Sequence, residues 1–162
     1  MLDPKNLIYI DEAGIDDNES YPYGWSIQGS RCYSTKSGRR GERVSFIGAL
    51  HNQRFIASLV FTGCCDSKIF ETYIEHCLVP ELKAGQIIIA DNASFHKSKK
   101  AKELITKAGC ILKFLPTYSP DFNPIEHYWF PIKNTIRKQL DHGALLYEAS
   151  CEALKGMYES IC

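Results

Sequence analysis

The chain has 162 residues, enough for one domain with a sizeable core. Nineteen basic and nineteen acidic residues give zero net charge, so overall charge alone points to no polyanionic partner. The first residues show no basic region followed by an apolar run and no apolar stretch reaches membrane-spanning length. The seven cysteines include no Cys-x-x-Cys pair, so a secretory signal, a membrane span, a disulfide framework and a zinc knuckle are all disfavoured. The expectation is a cytosolic protein with reduced thiols.

Residues 6–12, "NLIYIDE", are a short apolar run ending in two acids, which predicts a buried strand. A polar, turn-rich stretch follows, then a possible exposed strand at 25–33 and a basic loop, "STKSGRRGE". "RVSFIGAL" and "RFIASLVF", separated by "HNQ", predict a hairpin. The period then changes. Ile69, Phe70, Tyr73, Ile74, Cys77 and Leu78 recur at helical spacing up to Pro80.

"QIIIADNA" (86–93) is a continuous apolar strand ending in an acid, suited to burial on both faces. Residues 98–108 predict a Lys-rich helix ended by Gly109, and 110–115 another strand. A helix is predicted from Asn123, with Asn123 as N-cap, Pro124 at the first position and Glu126 three residues after the cap. Its apolar stripe is Ile125, Trp129, Ile132, Ile136 and Leu140. A final helix over 144–159 carries Leu145, Leu146, Ala149, Ala153, Leu154 and Met157. Antiparallel strands followed by alternating helices and strands imply a mixed α/β sheet with helices on its faces.

The neutral total hides clustering. Segments 31–43, 97–113 and 133–138 hold five, six and three basic residues, 14 of the 19. Such clusters can make a positive surface, though Lys-rich helices are also ordinary solvated faces.

Two apolar strands run into Asp11 and Asp91, and a helix opens with Glu126. In neighbouring strands these three carboxylates would converge at one sheet edge, where ligands of parallel sheets bind. Three carboxylates repel unless cations hold them, and oxygen-only ligands select magnesium or manganese. Two such ions are a standard device for phosphoryl transfer. Each acid also has a plain explanation as a strand end, a turn or a helix start. On the last of these elements Glu126, Phe130, Lys133 and Arg137 share a face, placing two cations in line with the acid.

The stretches "IDEAG", "IIIADNASFHKS" and "LPTYSPDFNPIEHYW" resemble the catalytic domain of mariner-superfamily transposases, and most closely the bacterial insertion-sequence branch. The 34 residues between Asp91 and Glu126 match that branch's spacing, and Gly24-Trp25 with Gly29 resembles its pattern between the first two acids. The resemblance covers roughly residues 7–140. It implies a ribonuclease H-like fold and an Asp-Asp-Glu site in which Asp11, Asp91 and Glu126 bind two magnesium ions, with manganese able to substitute. The implied reactions are DNA nicking at transposon ends and strand transfer into target DNA.

The implied partner is double-stranded DNA, both transposon ends and target, bound by a homodimer, with no membrane. Full-length relatives carry helix-turn-helix regions before this domain. Residues 1–162 are expected to form a single ribonuclease H-like domain without one, leaving end recognition to a separate domain or reading frame.

Candidate DNA contacts are Trp25, Arg39, Arg40, His96, Lys97, Lys133 and Arg137. Trp25 could stack on bases or simply pack, and His96 could touch a phosphate or make an ordinary hydrogen bond. Two other readings compete: a ribonuclease H-like nuclease acting on another substrate, and a non-catalytic DNA-binding remnant of an inactive element.

Overall fold

The computed structural model describes residues 4–17, 28–29, 41–116 and 122–159. Five strands form one sheet in the order β3-β2-β1-β4-β5. They are β1 (Leu7–Asp16), β2 (Arg43–His51), β3 (Arg54–Thr62), β4 (Ile87–Ala90) and β5 (Ile111–Phe114). β1, β2 and β3 form the expected antiparallel meander, and β4 and β5 add in parallel beyond β1. The β2–β3 hairpin turns at Asn52 and Gln53, both at positive φ. That geometry matches the right-handed twist of the strands it joins. Of the possible strand at 25–33, only Gln28 and Gly29 are among the described residues, and they form a turn.

β1 does not end at its two acids. Its antiparallel ladder with β2 runs from Ile8–His51 to Asp16–Arg43, while its parallel pairing with β4 stops at Tyr9–Ile89. The polar run after Ile10 remains strand because β2 supplies the hydrogen bonds. Asp11 therefore lies inside β1, at the level where its parallel neighbour has ended.

Side-chain alternation along the sheet builds two cores. Ile8, Ile10, Ile47 and Ile88 pack on one face against α1 (Ser67–Tyr73) and α2 (Lys99–Lys107). α1 is capped by Asp66, whose carboxylate accepts from the Ile69 N–H, and continues as a π-helical turn and a short 3-10 turn to Glu81. Ser98 caps α2. On the other face Ile15, Val44 and Phe46 meet α3 (Glu126–Asp141) and α4 (Leu146–Glu159). Ile125, Trp129, Ile132 and Ile136 are buried as the stripe requires. Leu145 is the exception on the last helix: it lies before α4 and is exposed.

The start of α3 differs from the capping-box expectation. The helix begins at Glu126, after a turn in which the Glu126 N–H donates to the Asn123 carbonyl. The Asn123 side chain is buried. It accepts from the Ile125 N–H and donates to the Ile10 carbonyl, so it pins the helix start to β1 one residue before Asp11. No helix among the described residues is long and apolar enough to cross a membrane.

Candidate active site

Asp11 points to the α3 side of the sheet and is only 7 % exposed. Trp129 Nε1 donates to Asp11 Oδ2 at 2.6 Å. Two features let the indole lie there. Phe46 and Phe55 flank it, with ring centroids 5.3 and 5.7 Å away. The residue opposite Asp11 on β2 is Gly48, where a Cβ would stand 2.9 Å from Trp129 Cη2. Burial pushes the Asp11 carboxyl up to about 7; the Trp129 hydrogen bond opposes this, and the charges of Glu126 and Glu12 add to it.

Asp91 follows the last residue of β4 and is half exposed. Its Oδ1 accepts from the Ala93 N–H at 3.0 Å and is ion-paired with His96 Nδ1 at 2.5 Å, while the same nitrogen bonds the Asp91 backbone carbonyl at 3.3 Å. The His96 bond is the main reason that its carboxyl is held below the usual range. His96 is fully buried, and its other nitrogen, Nε2, donates to Glu12 Oε1 at 2.6 Å. Burial alone would lower the imidazole; the bonds to Asp91 and Glu12 outweigh it and hold His96 at about 9.

Glu126, the first residue of α3, is exposed and lies close enough to Asp11 to raise its carboxyl electrostatically. Beside it opens a cleft of about 500 Å³, lined among others by Glu12, Gly14, Arg43, Cys65, Glu126 and Lys133. Gly14 leaves room for the Arg43 guanidinium, which a Cβ there would meet at 2.6 Å. Arg43 also pairs with Asp16 at 3.4 Å.

The structure thus joins Asp11 with Glu126, and Asp91 with Glu12 through His96. Among the described residues, no three His, Cys, Asp or Glu side chains stand grouped to hold a metal ion. Lys97 is exposed and Lys133 lines the cleft, as phosphate contacts must. His96 is not placed for a phosphate contact, because its ring is buried between two carboxylates. Nor is Arg137 on an open face: it is 8 % exposed, with Nη1 donating to Asn134 Oδ1 at 2.9 Å. Trp25, Arg39 and Arg40 fall outside the described residues. Glu12 and Trp129 were missed as site residues. The double acid in "IDEAG" was the only available signal for Glu12, and Trp129 was read as core alone.

A family model described as DDE superfamily endonuclease matches residues 6–144. The chain belongs to that family. A curated relative, the Transposable element Tcb2 transposase of Caenorhabditis briggsae, is 32% identical over 76 residues, 44% of this chain and 28% of that protein. Similar solved structures include a pre-cleavage Mos1 transpososome, with a TM-score of 0.66 and 14% identity over 97% of this chain and 56% of that one. A Mos1 mariner paired end complex with Mn gives 0.65 and 15% over 97% and 54%. The chain spans about half the length of the Mos1 chains and about a quarter of Tcb2. At these identities the structural likeness establishes the fold, a ribonuclease H-like mixed sheet with helices on both faces.

Proposed function

We propose that this chain is the catalytic domain of a mariner-superfamily DNA transposase, of the insertion-sequence branch, which nicks DNA at transposon ends and joins them to target DNA. The observation that carries the reading is Asp11: a buried carboxylate in the central strand, beside Glu126, level with Asp91 across the sheet. Family membership over residues 6–144 and the Asp91–Glu126 spacing support it.

The donor chemistry fits a hard divalent cation. All three acids offer oxygen only, which suits magnesium or manganese. Asp11 is held near neutrality by burial and by neighbouring negative charge, a cost that a bound cation would remove. Asp11, Asp91 and Glu126 would hold the metal, two ions in the full reading, and bound metal supplies Lewis acidity at the scissile phosphate.

The chain's own groups do the rest. Trp129 fixes the Asp11 carboxylate. Asn123 ties the start of α3 to β1 and so sets where Glu126 stands. Lys133 and Arg43 give the cleft positive charge for a phosphate backbone. Positioning and charge neutralisation carry most of the catalysis in this class of chemistry. The partner is double-stranded DNA, bound by a homodimer in the nucleoid.

The test is strand nicking of an end-containing duplex in magnesium or manganese by the chain and by Asp91→Ala. The variant should melt like the parent and lose cleavage by on the order of 10²-fold or more. Equal cleavage by the two proteins would remove Asp91 from the site.

A further inference from the structure

We propose that Glu12 and His96 form a positioning pair that sets which oxygen of Asp91 is offered to the metal. The inference rests on the reading of Asp91 as a metal ligand. His96 spans the two acids, with Nε2 donating to Glu12 Oε1 at 2.6 Å and Nδ1 ion-paired with Asp91 Oδ1 at 2.5 Å and bonded to the Asp91 backbone carbonyl at 3.3 Å. Its ring is clamped by Phe70 and Phe95, whose centroids lie 4.5 and 4.4 Å away, and it has no exposure to solvent. The Ala93 N–H donates to the same Asp91 oxygen at 3.0 Å. The two contacts on Oδ1 restrain the carboxylate and would leave Oδ2 as the oxygen offered to a metal.

Asp91 needs such a device more than Asp11 does. Asp11 lies inside a strand bonded on one side along its whole length, whereas Asp91 lies past the end of β4, where the ladder no longer holds the backbone. Glu12 supplies the far anchor. It belongs to the same rigid strand as Asp11, so the chain Glu12–His96–Asp91 ties the loop acid to the strand acid. Without Glu12 the imidazole keeps only its polar contacts to Asp91, so Asp91 Oδ1 loses its tie to the strand. Outer partners of this kind typically change metal affinity by 10–100-fold when removed.

The experiment measures Mn²⁺ binding by calorimetry to the full chain in the presence of a short end-containing duplex. The proteins are the parent, Glu12→Ala, Glu12→Asp, Glu12→Gln and Asp91→Ala. Glu12→Ala should weaken Mn²⁺ binding by about tenfold. Glu12→Asp, which keeps the charge but falls short of His96, should do the same and serves if the alanine variant fails to fold. Glu12→Gln retains an acceptor for His96 Nε2 and should recover binding to within about twofold of the parent. DNA affinity in chelator should be unchanged throughout.

Parental Mn²⁺ binding in Glu12→Ala and Glu12→Asp, with loss only in Asp91→Ala, would overturn the positioning pair and leave the metal site standing. Equal losses in Glu12→Gln and Glu12→Ala would also overturn it, because Glu12 would then be a ligand itself. Undiminished binding in Asp91→Ala would bring down the metal-site reading and this inference together.

Discussion

Asp11 and Asp91 lie two residues beyond the last parallel pair of β1 and β4, level with each other across the sheet, yet their surroundings are opposite. Asp11 is buried, bonded to a neutral indole N–H and surrounded by other acids, and its carboxyl is pushed up to about 7. Asp91 is half exposed and bonded to a histidine held at about 9, and its carboxyl is pushed down. Burial raises the one, and the His96 bond lowers the other. In the proposed site, Asp91 has a counter-charge within the protein and Asp11 has none. Asp11 is where a metal would gain most, and Asp91 is where the protein has already supplied the counter-charge.

Asp11→Asn should break that asymmetry most visibly. Metal-dependent nicking should fall by on the order of 10²-fold or more. The metal-free variant should nonetheless be about 2 kcal/mol more stable than the parent at pH 8, since an ionised buried carboxylate is removed. The pH dependence of the metal-free parent follows from the same groups. Asp11 has a raised carboxyl, so its favourable contribution is complete below about pH 4 and is lost as pH rises through 7. His96 is also raised, so its contribution is complete below about 6.5 and is lost as pH rises through 9. Both act in one direction. Between pH 6 and pH 8 the metal-free chain should lose about 3 kcal/mol, or roughly 5–10 °C in melting temperature. Thermal melts in chelator at the two pH values check this, and Asp11→Asn should flatten the curve by about a third. A parent whose melting temperature rises from pH 6 to 8 contradicts the assignment.

A smaller effect separates the Asp11 hydrogen bond from the packing around it. Trp129→Phe keeps an aromatic ring beside Phe46 and Phe55 but removes the donor to Asp11 Oδ2, and should cost about 2 kcal/mol in denaturant midpoint. The loss should grow from pH 6 to pH 8, because it is the ionised carboxylate that the indole stabilises. Gly48→Ala leaves the donor in place but puts a Cβ 2.6 Å from Phe55 Cε1 and 2.9 Å from Trp129 Cη2, forcing the indole to move. It should cost about 1–3 kcal/mol with the same growth at high pH. A loss independent of pH in both variants would reduce Trp129 to a packing residue.

Much of this arrangement was legible in the sequence. Among the described residues, apolar runs and helical periods placed the five strands and the four α-helices, and the turn at "HNQ" fixed the hairpin. What failed was local reading at positions governed by distant partners. β1 was cut short because "DEAGID" is polar, and only the β2 ladder keeps it a strand. Asn123 was read as a cap because capping depends on local spacing, whereas its side chain is taken by the Ile10 carbonyl 113 residues away. His96 is the plainest case. A histidine five residues after an acid says nothing of Glu12, 84 residues distant in sequence and 2.6 Å distant in space. Local spacing signals elements, but the partner of a buried polar group is set by topology.

The smallest predicted effect concerns the two cations of α3, read from the sequence as one face. Lys133 is half-buried at the cleft edge, while Arg137 is buried against Asn134. The two should therefore answer different measurements. Lys133→Ala should weaken DNA binding severalfold at low salt and reduce the slope of log affinity against log salt by about 0.9, the signature of one lost phosphate contact. Its melting temperature should stay within about 1–2 °C of the parent, since surface substitutions change stability little. Arg137→Ala should leave the salt slope unchanged and lower stability by about 1–2 kcal/mol, because a buried side chain and its hydrogen bond are removed. An Arg137 variant that loses salt slope would mean that the arginine turns outward when DNA binds. The α3 face would then carry both cations beside Glu126, and the contrast between the open and buried sides of the helix would hold only for the DNA-free chain.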